Sequence, residues 1–220
     1  MDKHNVRNHS NQQPYQQAFS IACESLRSTD IEERAEKSGA LVEKGKHGDY
    51  LIRLTFLDRR CLIHFPEIRI TFQENDEDVP LWSKILLLHY LIKAQGHPLS
   101  GTWVNFRQLS GGDTYYPAFV KRSQKPLLDF FAHRLELLEE AAQSVGGRNL
   151  NEGDRAVVIP ALPRVPIALI FWSGDEEFQP EARILFDATI PTYLSTEDVA
   201  VLAQQTVFRL IGWAKKARSN

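Results

Sequence analysis

The sequence contains few cysteines, and the two it has, Cys23 and Cys61, lie far apart and outside any Cys-x-x-Cys motif. A disulfide framework needs more cysteines, and a metal site built on thiolates needs closer spacing. Cys61 lies in an apolar run, which is typical of a buried small hydrophobic residue, and Cys23 lies in a predicted helix. We therefore expect both to be reduced, structural thiols in a cytoplasmic protein.

A strong net charge and a long hydrophobic run are also absent. The formal net charge is −2, so no global electrostatic attraction to nucleic acid or to an anionic membrane is expected. The apolar runs, such as Ile85 to Leu88, which ends at His89, are far shorter than the ~20 residues that span a bilayer. The polar N-terminus lacks the apolar stretch of a signal peptide. We therefore predict a soluble protein with neither nucleic acid nor membrane as a partner.

The remaining composition is that of a folded protein. Hydrophobic residues make up 43% of the 220 residues and charged residues 25%, both close to the averages of globular domains. The length favours one large domain. We predict that residues 1–12 form a disordered N-terminal tail and that residues 13–220 form a single globular α+β domain.

Apolar residues recur at helical spacing in several stretches, and one of these, from Trp82 to Ala94, is apolar on nearly every side, which predicts a buried helix. The last helix begins at Ser195, which with Asp198 forms a predicted capping box. The predicted helices are Pro14 to Arg27, Ile31 to Lys37, Trp82 to Ala94, Pro126 to Gln143, and Ser195 to about Ile211.

A period of two marks the strands, most clearly where Ile68, Ile70 and Phe72 alternate with polar residues. The order of elements fits alternating βα units poorly. We predict an α+β fold with one mainly antiparallel sheet and helices packed on it. The predicted strands are Tyr50 to Phe56, Cys61 to Phe65, Glu67 to Phe72, Trp103 to Phe106, Ala156 to Ile159, Val165 to Trp172, and Ile184 to Phe186.

Three stretches together resemble one family. They are Leu86 to Leu91 with Pro98 to Trp103, Phe106 to Asp113 with Tyr115 to Phe119, and Pro163 to Ile167 with Trp172 to Phe178. In combination they resemble the prokaryotic domain of unknown function 3786, over about Asp49 to Ile211. The resemblance implies an origin in anaerobic bacteria or archaea and an association with one-carbon or corrinoid-linked metabolism. Some members carry an added iron–sulfur domain with clustered cysteines, which this chain lacks.

The sharpest candidate for chemistry is the segment from Trp172 to Phe178, where Asp175, Glu176 and Glu177 follow a predicted buried strand. Three carboxylates at a strand end could bind a hard cation such as Mg²⁺ or Ca²⁺. One of them could instead act as a general base with a raised pKa, since neighbouring like charges resist joint ionisation. A solvated acidic turn is the third interpretation.

Arginines and aromatic residues supply a second candidate, a ligand pocket. Arg107 and Arg164 could clamp an anionic ligand or pair with Asp175 or Glu176. Gly111 and Gly112, in a predicted loop, could cradle a phosphate, although no nucleotide-binding glycine motif is present. Aromatic side chains could line the same pocket or serve as ordinary core and rim packing. The candidate ligand-binding residues are Trp103, Arg107, Tyr115, Tyr116, Arg164, Trp172 and Asp175.

The histidines and nucleophiles give weaker signals. No two histidines form a metal-binding pair at helical spacing, so His64 and His89 are interpreted as core histidines, and His97 as a loop residue that could serve as a metal ligand or an acid. No serine lies in Gly-x-Ser-x-Gly, and neither cysteine has the surroundings of a nucleophile.

Three functions remain open from the sequence. The first is an accessory protein that binds a small molecule or a tetrapyrrole-like cofactor whose identity is unknown. The second is an enzyme, hydrolase- or transferase-like and Mg-dependent, that uses the cluster of Asp175, Glu176 and Glu177. The third is a protein–protein scaffold with an iron–sulfur or corrinoid protein as its partner.

Overall fold

The structure is a computed structural model that describes residues 13–218, so the predicted tail at residues 1–12 lies outside the described residues. The chain divides into two compact units. The first consists of Met1–Leu54 with Arg59–Gly96, and the second of Thr55–Asp58 with His97–Asn220. Each unit has helices and an antiparallel sheet, which confirms the α+β class. The strands form two sheets instead of the one expected, and the single domain stays a prediction.

The first unit contains a four-stranded meander whose strands follow one another in chain order. Its side chains alternate, so that Ile52, Leu54, Ile63 and Ile70 are buried, as the period of two predicts. The elements are α1 (Gln13–Arg27), α2 (Ile31–Ser38), β1 (Leu41–Lys44), β2 (Tyr50–Phe56), β3 (Arg59–Phe65), β4 (Arg69–Phe72) and α3 (Leu81–Lys93).

Two helices of this unit follow their sequence signals closely. Helix α2 is capped by Asp30, which accepts hydrogen bonds from the amides of Glu32 and Glu33, and it ends at Gly39 in the left-handed conformation, which only glycine adopts without strain. Helix α3 is buried on most sides, and its Tyr90 hydroxyl donates a 2.6 Å hydrogen bond to the Ser38 carbonyl. Strand β1 was not predicted because its residues are mostly exposed and show no alternation.

The second unit is built on a five-stranded antiparallel sheet with the order β5-β9-β8-β7-β6. Strands β7 and β8 carry nearly continuous buried apolar side chains, because they lie inside the sheet and are covered on both faces. The elements are β5 (Trp103–Asn105), α4 (Gly112–Phe119), α5 (Lys125–Phe131), α6 (Leu135–Ser144), β6 (Arg148–Leu150), β7 (Arg155–Leu162), β8 (Val165–Trp172), β9 (Glu181–Asp187) and α7 (Thr196–Ala217).

Two helix predictions in this unit were wrong in part. Residues 112 and 113, expected in a loop, begin α4, and the long helix from Pro126 to Gln143 is two helices separated at residues 132–134. Phe131 and Leu135 keep a spacing of four whether or not the backbone between them is helical, so periodicity alone could not reveal the break.

A π-helical turn, Val120–Gln124, joins α4 to α5. It lies directly before Pro126, whose ring would clash with the carbonyl of Arg122 in a continuous α-helix and which has no N–H to donate. The wider turn, in which the Lys125 amide bonds to the Val120 carbonyl, accommodates the proline. This turn places Arg122 beside α7, as described below.

The capping box predicted for α7 is confirmed: the Ser195 hydroxyl accepts from the Asp198 amide, and the Asp198 carboxylate accepts from the Ser195 amide. Among residues 13–218, no helix is both long and apolar enough to cross a membrane.

Candidate functional site

The register of the second sheet separates the two candidate tryptophans. Trp103 on β5 lies opposite Asp187, and Trp172 on β8 lies opposite Glu181. These partners mark the two ends of β9, and six residues of strand span about 20 Å. Trp103 and Trp172 therefore cannot line one small pocket.

The strands also separate Arg164 from the acidic segment, Asp175 to Glu177. It lies in the turn between β7 and β8, where Leu162 pairs with Val165, whereas Trp172 is at the far end of β8. Seven residues of strand place about 23 Å between these two ends. The structural pair considered between Arg164 and Asp175 is therefore wrong, and Arg164 lies toward the end of the sheet that carries Trp103.

Arg107 is held by its own neighbourhood. Its Nε donates a 2.7 Å hydrogen bond to Asp113, and its guanidinium lies 5.1 Å from the centre of the Tyr116 ring. The ion pair with Asp113 raises the pKa of Arg107. The partner of Arg107 is therefore Asp113, near the start of α4, rather than Asp175 or Glu176.

The glycine pair also serves local structure. Gly111 has a φ of 73°, and a Cβ on Gly112 would lie 2.0 Å from the Phe106 carbonyl oxygen. The second glycine is therefore required for the close approach of α4 to the preceding turn, where Phe106 stacks on Phe119 at 4.2 Å. This account explains the pair without a phosphate.

The acidic segment forms a self-capped turn. One oxygen of Asp175 accepts hydrogen bonds of 2.8 Å from the amides of Phe178 and Glu177, and these two bonds hold the pKa of Asp175 below its ordinary value. A general base of the kind considered needs a raised pKa, so that expectation is wrong for Asp175. Nearby, the Arg183 guanidinium lies 4.8 Å from the Trp172 ring and pairs with Glu181.

The metal hypothesis gains no support from this turn. Glu176 and Glu177 are exposed, and within residues 13–218 no group of three or more His, Cys, Asp or Glu residues is arranged to hold a metal ion. The carboxylates follow one another along the chain, and Asp175, which is itself exposed, already accepts hydrogen bonds from two amides.

A buried carboxylate that the sequence analysis missed lies at the other end of β9. Asp187 is 4% exposed and accepts five hydrogen bonds, from the amides of Ser100, Gly101 and Thr189 and from the hydroxyls of Ser100 and Thr189. It fixes the segment before β5. The nearby Tyr193 hydroxyl donates a hydrogen bond to the backbone carbonyl of His97. This bond holds the backbone of His97 and does not involve its imidazole.

A cleft of about 230 Å³ lies between α4 with its π-helical turn and the first half of α7. We call it the α4–α7 cleft. Small and apolar side chains contribute to its lining, and polar groups stand at both ends. The lining residues are Tyr115, Ala118, Phe119, Arg122, Glu197, Ala200, Val201 and Gln204.

Helical spacing explains why these residues meet. On each side of the cleft they follow the pattern i, i+3, i+4, i+7, beginning at Tyr115 on one side and at Glu197 on the other. Such residues form one face of a helix. The π-helical turn extends the first face as far as Arg122, and the Gln124 side chain ties that turn to β9 with a 2.8 Å hydrogen bond to the Ala182 carbonyl.

The two ends of the cleft differ in charge. At one end the Tyr115 hydroxyl donates a 2.7 Å hydrogen bond to Glu197, and this bond raises the pKa of Tyr115. At the other end stand Arg122 and Gln204. Among residues 13–218, the Arg122 side chain has neither a hydrogen-bond partner nor an ion-pair partner. The cleft therefore offers an uncompensated cation beside an apolar surface.

Of the seven candidate ligand residues, only Tyr115 lines this cleft. The spacing of Tyr115, Ala118, Phe119 and Arg122 was visible in the sequence, but the assignment of residues 110–113 to a loop and the presence of Pro117 and Pro126 obscured a helix there. The pairing with α7 depends on tertiary structure.

Comparison with known proteins identifies the family. The family model for a domain of unknown function, DUF3786, matches residues 30–209. The chain belongs to the DUF3786 family. No curated protein and no solved structure matches it. The match covers both the Pro98 to Trp103 segment held by Asp187 and the lining of the α4–α7 cleft.

Proposed function

We propose that this DUF3786 protein is a small-molecule-binding module and that its ligand occupies the α4–α7 cleft. The observation that carries the proposal is the lining: small and apolar side chains such as Ala118, Ala200 and Val201 lie between polar groups at the two ends. Ligand sites commonly combine a mostly apolar surface with a few convergent polar groups.

The size of the cleft favours a small metabolite. Its volume of about 230 Å³ is below the ~300–1,000 Å³ of pockets for drug-sized ligands. A tetrapyrrole is larger than a drug-sized ligand, so the cleft gives less support to the haem or corrinoid version of the binding hypothesis. A role in one-carbon metabolism stays a prediction from the family resemblance alone.

The test is a thermal-shift screen of the full chain against a library of small metabolites, with haem and a corrinoid included. Ala200→Leu fills the cleft with a residue that is favourable in helices, and Ala217→Leu makes the same change at an exposed position near the end of α7. We expect compounds that raise the melting temperature of the wild type and of Ala217→Leu but not that of Ala200→Leu.

Two results would refute the proposal. If the same compounds stabilise Ala200→Leu as much as the control variant, they bind elsewhere. If only haem or the corrinoid binds saturably, the ligand is not a small metabolite and the cleft is not its site.

A further inference from the structure

The α4–α7 cleft is lined in part by an arginine, Arg122. Elsewhere in the second unit, Arg107, Arg155 and Arg183 each pair with a carboxylate at 2.7 to 2.9 Å, whereas Arg134 and Arg148 have no ion-pair partner among residues 13–218. Arg122 makes no such pair within residues 13–218, although it lines a concave surface. The guanidinium group presents a planar set of N–H donors that match a carboxylate in bidentate geometry.

The anion at the opposite end does not cancel this cation. Glu197 begins one face of the cleft and accepts a hydrogen bond from Tyr115, whereas Arg122 and Gln204 end the two faces. Seven residues of helix separate the ends by about 10 Å, which exceeds the screening length of about 8 Å at physiological ionic strength. Glu197 therefore does not pair with Arg122, and Gln204 lines the cleft at the same end as Arg122.

The lining between the two ends of the cleft favours a ligand that has an apolar part. Ala118, Ala200 and Val201 line it with methyl groups, while Phe119 is buried and contributes little surface; contact with apolar ligand atoms removes this surface from water. A free inorganic anion would leave that surface uncovered.

We propose that the ligand of the α4–α7 cleft is a small carboxylate with an apolar body and that Arg122 binds its carboxylate group. This inference rests on the proposed function, and it adds the chemical class of the ligand and the residue that recognises it. It also predicts that binding weakens as the salt concentration rises, because an exposed charge pair is screened.

The test compares three probes of equal chain length, hexanoate, hexanamide and hexylamine, by calorimetric titration of the full chain. We expect hexanoate to bind up to about 5-fold more tightly than hexanamide, the range typical of an exposed charge pair, and hexylamine to bind more weakly than either. Arg122→Ala should lower the affinity for hexanoate to that for hexanamide, and Arg122→Lys should give an intermediate value, because the ammonium lacks the bidentate geometry.

Lys121→Ala supplies the matched control, since Lys121 is an exposed cation on the same turn that does not line the cleft. It should leave the affinity for hexanoate unchanged. Equal binding of hexanoate and hexanamide by the wild type, or equal losses in Arg122→Ala and Lys121→Ala, would overturn the carboxylate assignment and leave the cleft as a binding site. Failure of all three probes to bind saturably would also overturn the carboxylate assignment, whereas the proposed function is refuted separately, by metabolites that stabilise Ala200→Leu as much as Ala217→Leu.

Discussion

Replacement of the buried Asp187 tests a polar network of five hydrogen bonds in the second unit. In Asp187→Ala, the amides of Ser100, Gly101 and Thr189 lose their acceptor. A buried donor left without a partner costs about 1–3 kcal/mol. The Ser100 and Thr189 hydroxyls can rotate toward water, and the network is partly buried, so we take the low end of this range for each amide and expect a loss of about 3 kcal/mol.

A loss of this size lowers the melting temperature by about 10 °C in a chain of this length. Urea unfolding at pH 7, followed in parallel by tryptophan fluorescence and circular dichroism, measures it. Asp113→Ala is the control, because Asp113 forms an exposed pair with Arg107 and such pairs contribute little to stability. A change below about 1 kcal/mol in Asp187→Ala would contradict the reasoning, because it is smaller than the cost of a single unsatisfied buried amide.

The pH dependence gives an independent check on the same carboxylate. Burial raises the pKa of Asp187, but the hydrogen bonds from Thr189, Ser100 and Gly101 together outweigh burial and bring the pKa below its ordinary value. A lowered folded pKa contributes stability above the unfolded pKa of about 3.9, and that contribution is lost as the pH falls through the folded pKa. The stability difference between the wild type and Asp187→Asn should therefore be constant above about pH 5 and shrink in acid. A difference that grows in acid would contradict the assignment.

Three further predictions concern other parts of the chain. Ser195→Ala removes the cap of α7 and should lower the free energy of unfolding by about 1 kcal/mol, with faster amide hydrogen exchange in the first turn of α7; unchanged exchange there would contradict the cap. Tyr90→Phe removes the buried hydrogen bond to the Ser38 carbonyl and should lower the free energy of unfolding of the first unit, measured in urea, by about 1 kcal/mol. An unchanged or higher free energy of unfolding would show that this bond does not stabilise the unit. Burial raises the pKa of Cys61 to about 12 and also raises that of Cys23, so neither thiol should react with an aromatic disulfide reagent at pH 8 until the chain is unfolded; rapid reaction of the native protein would refute their burial.

Sequence patterns were most informative where one local signal decided the structure. Helix α2 coincides with the predicted helix from Ile31 to Lys37, and Ser195 with Asp198 begins α7, as their capping chemistry predicts. Alternation of apolar residues predicted the meander, and a continuous apolar run predicted the interior strand β8. In each case the residues that carry the signal are neighbours in the chain.

The seven candidate ligand residues were grouped by their chemical type, and the structure does not bring them together in one pocket. The distance between Trp103 and Trp172 depends on which residues of β9 they lie opposite. That register pairs residues as far apart in the chain as 103 and 187, so no local sequence pattern predicts it. The burial of Asp187 has the same origin, because its five donors come from two segments that tertiary structure brings together.

The sequence by itself determined the helices with clear caps, the strands with clear alternation, the α+β class and the family. Only the tertiary structure decided that Arg107 pairs with Asp113, that Asp175 caps its own turn, and that Arg122 faces α7 across a cleft. The physical reason is that periodicity and capping act within a few residues, whereas a side chain finds its partner through packing between distant segments, which no single segment encodes.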